Sequence, residues 1–592
     1  MKTKKRISKL FATSIMAVAS VASSYGQSNL GAACGCNTAV ASRPSVLLSS
    51  LPGFTAIAGT YGGELTTGAV LTCANNYIID QKIYIPAGQT LTINPGTVLK
   101  GRIAPNDIAT GLPDKAKATA LVIERGGKIM AEGSADCQIV FTAEADNLDG
   151  TFPIANKGQW GGVLLLGKAT NNLTLAANGP FVVGGTGGKL AAGDGLGVIE
   201  GFATSNPQDR YGVLTAATLP LGVSGELTSQ VFDDNDNSGI MKYVSIRYSG
   251  ALLAVGAEIN GLTLGSVGRG TTIEHIEIVS CADDNIEIFG GTVNIKYITT
   301  LFGNDDMFDW DLGWTGKAQF LFGMKTDNTA SADSDNGFES DSDDNKSIGL
   351  LNTGLRRSIP VIYNVTLLGN EKSTLLTGTA GDNSSLAAIN AKELTGGEIY
   401  NSVFANFKNG LNLIKSLGTV RTGTSESYHN WSSTLGNASE ILKVKCNTFV
   451  NCANPLSIAN ATTALVAADN TQFTTTDLNV IVAGNTLPGF DYSFAVNNTT
   501  NDFSAKIDPV PNPALTVVGC PVAPADGFFR VANYRGAFSS VAGENWLSDW
   551  SYSQVLGATK GLISCPTDLD KDGDTDVDDF QIFAPAFNTS CN

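Results

Sequence analysis

The sequence predicts an all-β solenoid, and three observations predict it. A short acidic motif recurs as Asp283-Asp284-Asn285-Ile286-Glu287, Asp305-Asp306-Met307-Phe308-Asp309 and Asp335-Asn336-Gly337-Phe338-Glu339. The first two copies lie 22 residues apart, and the third follows after 30. The same register extends past the motif, setting Ile273 over Ile295, Glu274 over Lys296 and Ile276 over Ile298. Short β-branched segments punctuated by Gly, Asn and Asp recur along the chain, while helical periodicity is scarce. A fixed period in this range means one structural unit per coil. Equivalent residues should therefore stack on successive rungs, ~4.8 Å apart.

In chain order, residues 1–26 read as a signal peptide. Lys2, Lys4, Lys5 and Arg6 precede an apolar run from Leu10 to Ala22, and Ser24-Tyr25-Gly26 offers small residues for cleavage before Gln27. The run is too short for a transmembrane helix. The expected location is extracellular or at the cell surface, with the periplasm as a further option. Residues 27–70 form a Gly/Ser/Ala-rich leader, expected as an N-terminal cap. The coil body is expected over 71–505. Its strand-like segments include Lys82 to Ile85, Thr90 to Ile93, Ala120 to Glu124, Gln138 to Thr142, Ile273 to Val279 and Val361 to Leu368. Residues 170–235 and 370–395 are Gly/Ala/Thr-rich and expected as loops. Residues 506–563 carry clustered aromatics (Phe528, Phe529, Tyr534, Phe538, Trp546, Trp550) and are expected as a C-terminal cap. Ten cysteines in an exported chain point to disulfides, with Cys565–Cys591 and Cys446–Cys452 as candidate pairs and Cys281 as a core residue.

Several phrases carry a resemblance. Ile93-Asn94-Pro95-Gly96-Thr97-Val98, Ala131-Glu132-Gly133, Gln159-Trp160-Gly161-Gly162 and Gly290-Gly291-Thr292-Val293-Asn294 resemble the coils of secreted bacterial right-handed parallel β-helix proteins. The resemblance covers about residues 71–555. It implies a right-handed parallel β-helix and an exported location, and names no reaction.

Residues 564–592 end the chain with a calcium signature. Asp568, Asp570, Asp572, Asp574, Asp576 and Asp579 fall on the liganding positions of an EF-type loop, with Gly573 at its sharp turn. The loop resembles that of a type I dockerin. Dockerins carry two such loops and this chain carries one, which puts a cohesin-type partner in doubt.

Strand alternation gives the repeated motif a direction. Ile286, Phe308 and Phe338 should point inward. Asp283, Glu287, Asp305, Asp309, Asp335 and Glu339 should point outward, with Asp311 and Asp341 extending the row. Asp284, Asp306 and Asn336 should turn inward near a corner and accept turn amides. Carboxylates stacked so closely repel one another, and raised pKa values or a bound cation relieve this. Hard oxygen donors in a row suit calcium as the cofactor.

A net charge of −17 argues against nucleic acid as a partner. Only His275 and His429 are available, so histidine-based catalysis and a His-rich zinc site lack support. Ala282-Asp283-Asp284-Asn285 is similar to the paired-Asp motif of polygalacturonases, whose Gly-His-Gly and Arg-Ile-Lys elements have no match here. If the chain is an enzyme, the candidates are Asp283, Glu287, Asp305 and Asp309, with Arg247, Arg269 or Lys325 as the cationic group. The leading reading is a non-enzymatic binding protein for an extracellular polysaccharide, a matrix component or a surface protein, with calcium-stabilised acidic sites. Two alternatives stay open: a calcium-dependent polysaccharide lyase or glycoside hydrolase, and a purely structural surface protein.

Overall fold

The computed structural model describes residues 30–555 except 37, 108–109, 111–112, 174–195, 200–201, 203–205, 214–231, 255–256, 326–335, 343–356, 370–386, 393–394, 415–426, 433–440, 460–464, 466, 485, 488–495, 498–501, 504–508, 511–513, 541–543 and 549. The expected signal peptide, the tail calcium loop, Cys565, Cys591 and Asp335 lie outside the described residues.

Nearly every strand pairs in parallel with its equivalent one coil away, in one sheet of 17 strands and one of 12. The chain is a parallel β-helix. Ile273 pairs with Ile295, Glu274 with Lys296 and Ile276 with Ile298, as the 22-residue period requires. Early coils carry three short strands, for example Thr90–Ile93, Val98–Gly101 and Ala120–Ile123. From Gly239 to Leu368 the first two fuse into one bent strand, as in Gly239–Arg247, Thr272–Val279, Asn294–Leu301 and Lys317–Met324, and they separate again at Gly397–Tyr400 and Val403–Ala405.

The bend has a residue-level cause. Tyr243, His275, Tyr297 and Phe320 take φ of 51°, 54°, 57° and 57° at equivalent positions. A left-handed non-glycine residue costs about 1–2 kcal/mol. Here the four rings stack on one another at 4.3, 4.4 and 5.1 Å between centroids, which offsets part of that cost. Inside the coil, Ile276, Ile298, Leu321 and Val365 form one apolar ladder. Ile286, Phe308, Phe338, Ile389 and Leu411 form the facing one. Burying each such side chain is worth roughly 1.5–3 kcal/mol.

The two ends of the described chain cover the outer face of the larger sheet. The leader packs Leu30 and Val40 on Val98 and Val140. It is tied by Cys34–Cys137 and Cys36–Cys73. The buried Arg43 guanidinium donates to the carbonyls of Leu30, Thr38 and Gly96. The described residues of 514–553, within the segment expected as a C-terminal cap, run along the side as a strap. Cys446 bonds Cys520, and Cys452, its expected partner, is unbonded. Sequence proximity misled there, because Cys446 occupies a bend that faces the strap. Arg535 donates to Asn447 O and Thr448 Oγ1. Further along, the strap amides of Tyr552 and Ser553 donate to the buried Glu277 carboxylate. The C-terminal end of the interior is closed by Phe473, packed on Phe449 at 5.2 Å. Within the expected loop 370–395, Ala387–Ala391 is a fully buried strand, its small residues having hidden its β character.

Candidate functional site

The smaller sheet carries the repeated motif. Glu287 pairs with Asp309, and Asp309 with Glu339, on three adjacent coils. Their apolar neighbours Ile286, Phe308 and Phe338 are buried, so alternation turns the three acids outward, where they are half-buried. Asp283 is half-buried and Asp305 exposed at the corner before the strand.

Behind this column a second one holds the spacing. The Asp306 N–H donates to Asp284 Oδ1 at 2.7 Å, the Asn336 N–H to Asp306 Oδ1 at 2.5 Å, and the Ala387 N–H to Asn336 Oδ1 at 3.0 Å. These inward side chains accept amides, as expected, but from the next coil rather than from their own turn. Each link fixes one coil against the next at the level of the acids.

Three overlapping groups of carboxylates result: Asp283, Asp284 and Asp305; Asp284, Glu287 and Asp309; and Asp306, Asp309 and Glu339. Within each group one oxygen per residue lies within 4.8 Å of the others. Burial, with Asp283, Asp305, Asp306 and Asp309 nearby, pushes the Asp284 carboxyl well above the usual range. Burial, with Glu339 and Asp306 nearby, does the same to Asp309. Asp309 Oδ1 is buried and has no hydrogen-bond partner among the described residues. An all-oxygen, anionic donor set with an unsatisfied buried oxygen fits a hard divalent cation such as calcium.

Lysines surround the column. Lys392 Nζ donates to Glu339 Oε1 and lies 3.6 Å from Asp341. Burial works against its charge, but Glu339, Asp341 and Asp309 outweigh it and hold it well above the ordinary lysine value. Lys157 Nζ donates to Asn304 Oδ1 at 2.6 Å, and the buried Lys325 donates to the Asp305 carbonyl. Neither Lys157 nor Lys392 was singled out from the sequence. Only knowledge of which coils adjoin would have found Lys392, which aligns with Asp341 one coil on.

The other cationic candidates lie elsewhere. Arg247 is buried on the larger sheet, 4.0 Å from the Tyr552 ring and bonded to Ser245 Oγ. Arg269 pairs with Asp234 at 3.5 Å. His275 is held between Tyr243 and Tyr297, with Trp550 at its edge.

Fold and site together define a parallel β-helix with a carboxylate-lined outer face. The chain belongs to the pectate-lyase like beta helix domain family, whose pattern it matches over residues 63–200 and 176–486. Two solved structures match the chain at low overall similarity. One is pectate lyase Pel9A, at 11% identity and a TM-score of 0.30, covering 77% of this chain and 88% of that one. The other is the Dettilon tailspike protein gp208, at 12% identity and 0.21, covering 70% and 68%. No curated protein matches the sequence. Among the described residues no helix is long and apolar enough to cross a membrane.

Proposed function

We propose that this chain is an exported binding protein that takes up a divalent cation on its acidic column and uses it to hold an acidic polysaccharide. One observation carries the reading: Glu287, Asp309 and Glu339 stand in register, with Asp284 and Asp306 close behind. Such a column is repulsive when empty of positive charge, and a divalent ion converts it into an attachment point for the carboxylates of a uronate chain. The family's pectate-lyase likeness supports that ligand class. The calcium loop at Asp568 to Asp579 is proposed as a second, independent cation site in the tail.

Cleavage is the second reading, and Lys392 favours it. A cation on Glu339 would weaken the charges that keep this lysine protonated, and so lower its pKa toward that of a usable base. The test is thermal unfolding of the exported protein with calcium and with chelator, beside incubation with polygalacturonate. Calcium should raise Tm by several degrees, and the Asp309→Asn variant should lose most of that rise. Retention on the polymer without unsaturated products supports binding, and products that vanish in Lys392→Ala make the chain a lyase. No calcium-dependent retention and no products would sink both readings.

A further inference from the structure

The acidic column is bounded on one side by a piece of chain from a distant coil. Early in the connection between strands Val163–Leu166 and Gly239–Arg247, residues 170–173 reach across several successive coils. The Gly291 N–H donates to the Thr170 carbonyl at 2.9 Å, and Asn171 Nδ2 donates to Ser266 Oγ at 2.8 Å. The Asn172 N–H donates to the Leu312 carbonyl at 3.0 Å, and its Nδ2 to the Ser342 carbonyl at 2.5 Å. Gly291, Leu312 and Ser342 lie just after the strands that carry Glu287, Asp309 and Glu339, and Ser266 just after the strand one coil before them.

A short antiparallel pair, Leu196–Val198 with Arg210–Gly212, backs this clip. Leu173, Ile199, Phe202 and Tyr211 pack with Phe289 and Leu312, and the Tyr211 and Phe289 rings lie 5.9 Å apart. The pair is anchored by Asp209, itself 2% exposed, which accepts from Tyr84 Oη at 2.8 Å and Asn206 Nδ2 at 2.7 Å. Exposure drops sharply toward the clip. Asp305 at the corner is exposed and Asp309 half-buried, while Asp311, two residues further along the same strand and on the same face, is buried.

We propose that residues 170–173 are a fixed wall that confines a polyuronate chain to the acidic column, with Asn172 as its positioning residue. This rests on the polysaccharide reading above. Its bonds to Leu312 and Ser342 set how far the wall stands from Asp309 and Glu339. Through that distance they set which polymers fit between wall and corner. The cation ligands do not depend on it.

The test pairs two variants, Asn172→Ala and Tyr211→Ala, with the unaltered protein. Three quantities are read: the calcium-induced rise in Tm, amide hydrogen exchange over residues 170–173, and retention on polygalacturonate in calcium. Both variants should keep the calcium rise, exchange faster at 170–173, and bind the polymer about tenfold more weakly. Retention equal to the unaltered protein, with faster exchange at the clip, would overturn the wall. Failure of the parent reading shows elsewhere, as an unaltered protein that gains no Tm from calcium and is not retained, and it removes the wall's role with it.

Discussion

At the scale of single residues, His275 shows what burial does to a titrating group. Its burial, with Lys242 and Lys296 nearby, pulls its pKa down to about 3 from 6.5. Folded and unfolded chains both hold it neutral above pH 6.5, so it contributes nothing there. As the pH falls from 6.5 toward 3 the unfolded chain takes the proton first, and stability is lost. At pH 4.5 the loss is about 3 kcal/mol. His275→Phe should remove it, since Phe320 already occupies the equivalent bend at φ 57°. Unfolding curves at pH 7 and 4.5 check this, and a variant as acid-sensitive as the parent would refute it. Asp284 and Asp309 act in the opposite sense. Their raised folded pKa values cost stability as pH rises past about 3.9, which is the cost a bound cation would remove.

At the scale of elements, register was legible and coverage was not. A 22-residue period fixes which residues stack, because a slip of one would turn Ile286 and Phe308 outward together with their whole face. The inward turn of Asp284 and Asp306 followed from the same alternation. The strap could not be read that way. Its attachments join residues far apart in sequence, such as Gln138 with Trp550 and Lys317 with Asp526, and no local pattern marks such pairs. Lys392 and the clip at Asn172 escaped for the same reason. The strap's tether is testable. Cys520→Ser should lower stability by about 2–4 kcal/mol. It should also open residues 514–553 to protease before the coils, and cleavage of strap and coils at equal rates would contradict this.

At the scale of the whole molecule, each coil touches its neighbours and the strap touches many coils at once. It packs on Val279, Leu301, Phe322 and Leu368, outward residues of four successive strands. A chain truncated after residue 513 should keep its coils, yet expose that apolar strip and self-associate. Size-exclusion chromatography reads the outcome, and a monomer of unchanged Tm would count against it. The strap also orders events in time. Glu277 must wait for the amides of Tyr552 and Ser553, made 275 and 276 residues later. Coils can therefore accumulate one after another as the polypeptide emerges, but the coil that carries Glu277 is not finished until Tyr552 and Ser553 have been delivered. A stalled or clipped chain would present a long, regular and sticky flank, a built-in marker of incomplete synthesis.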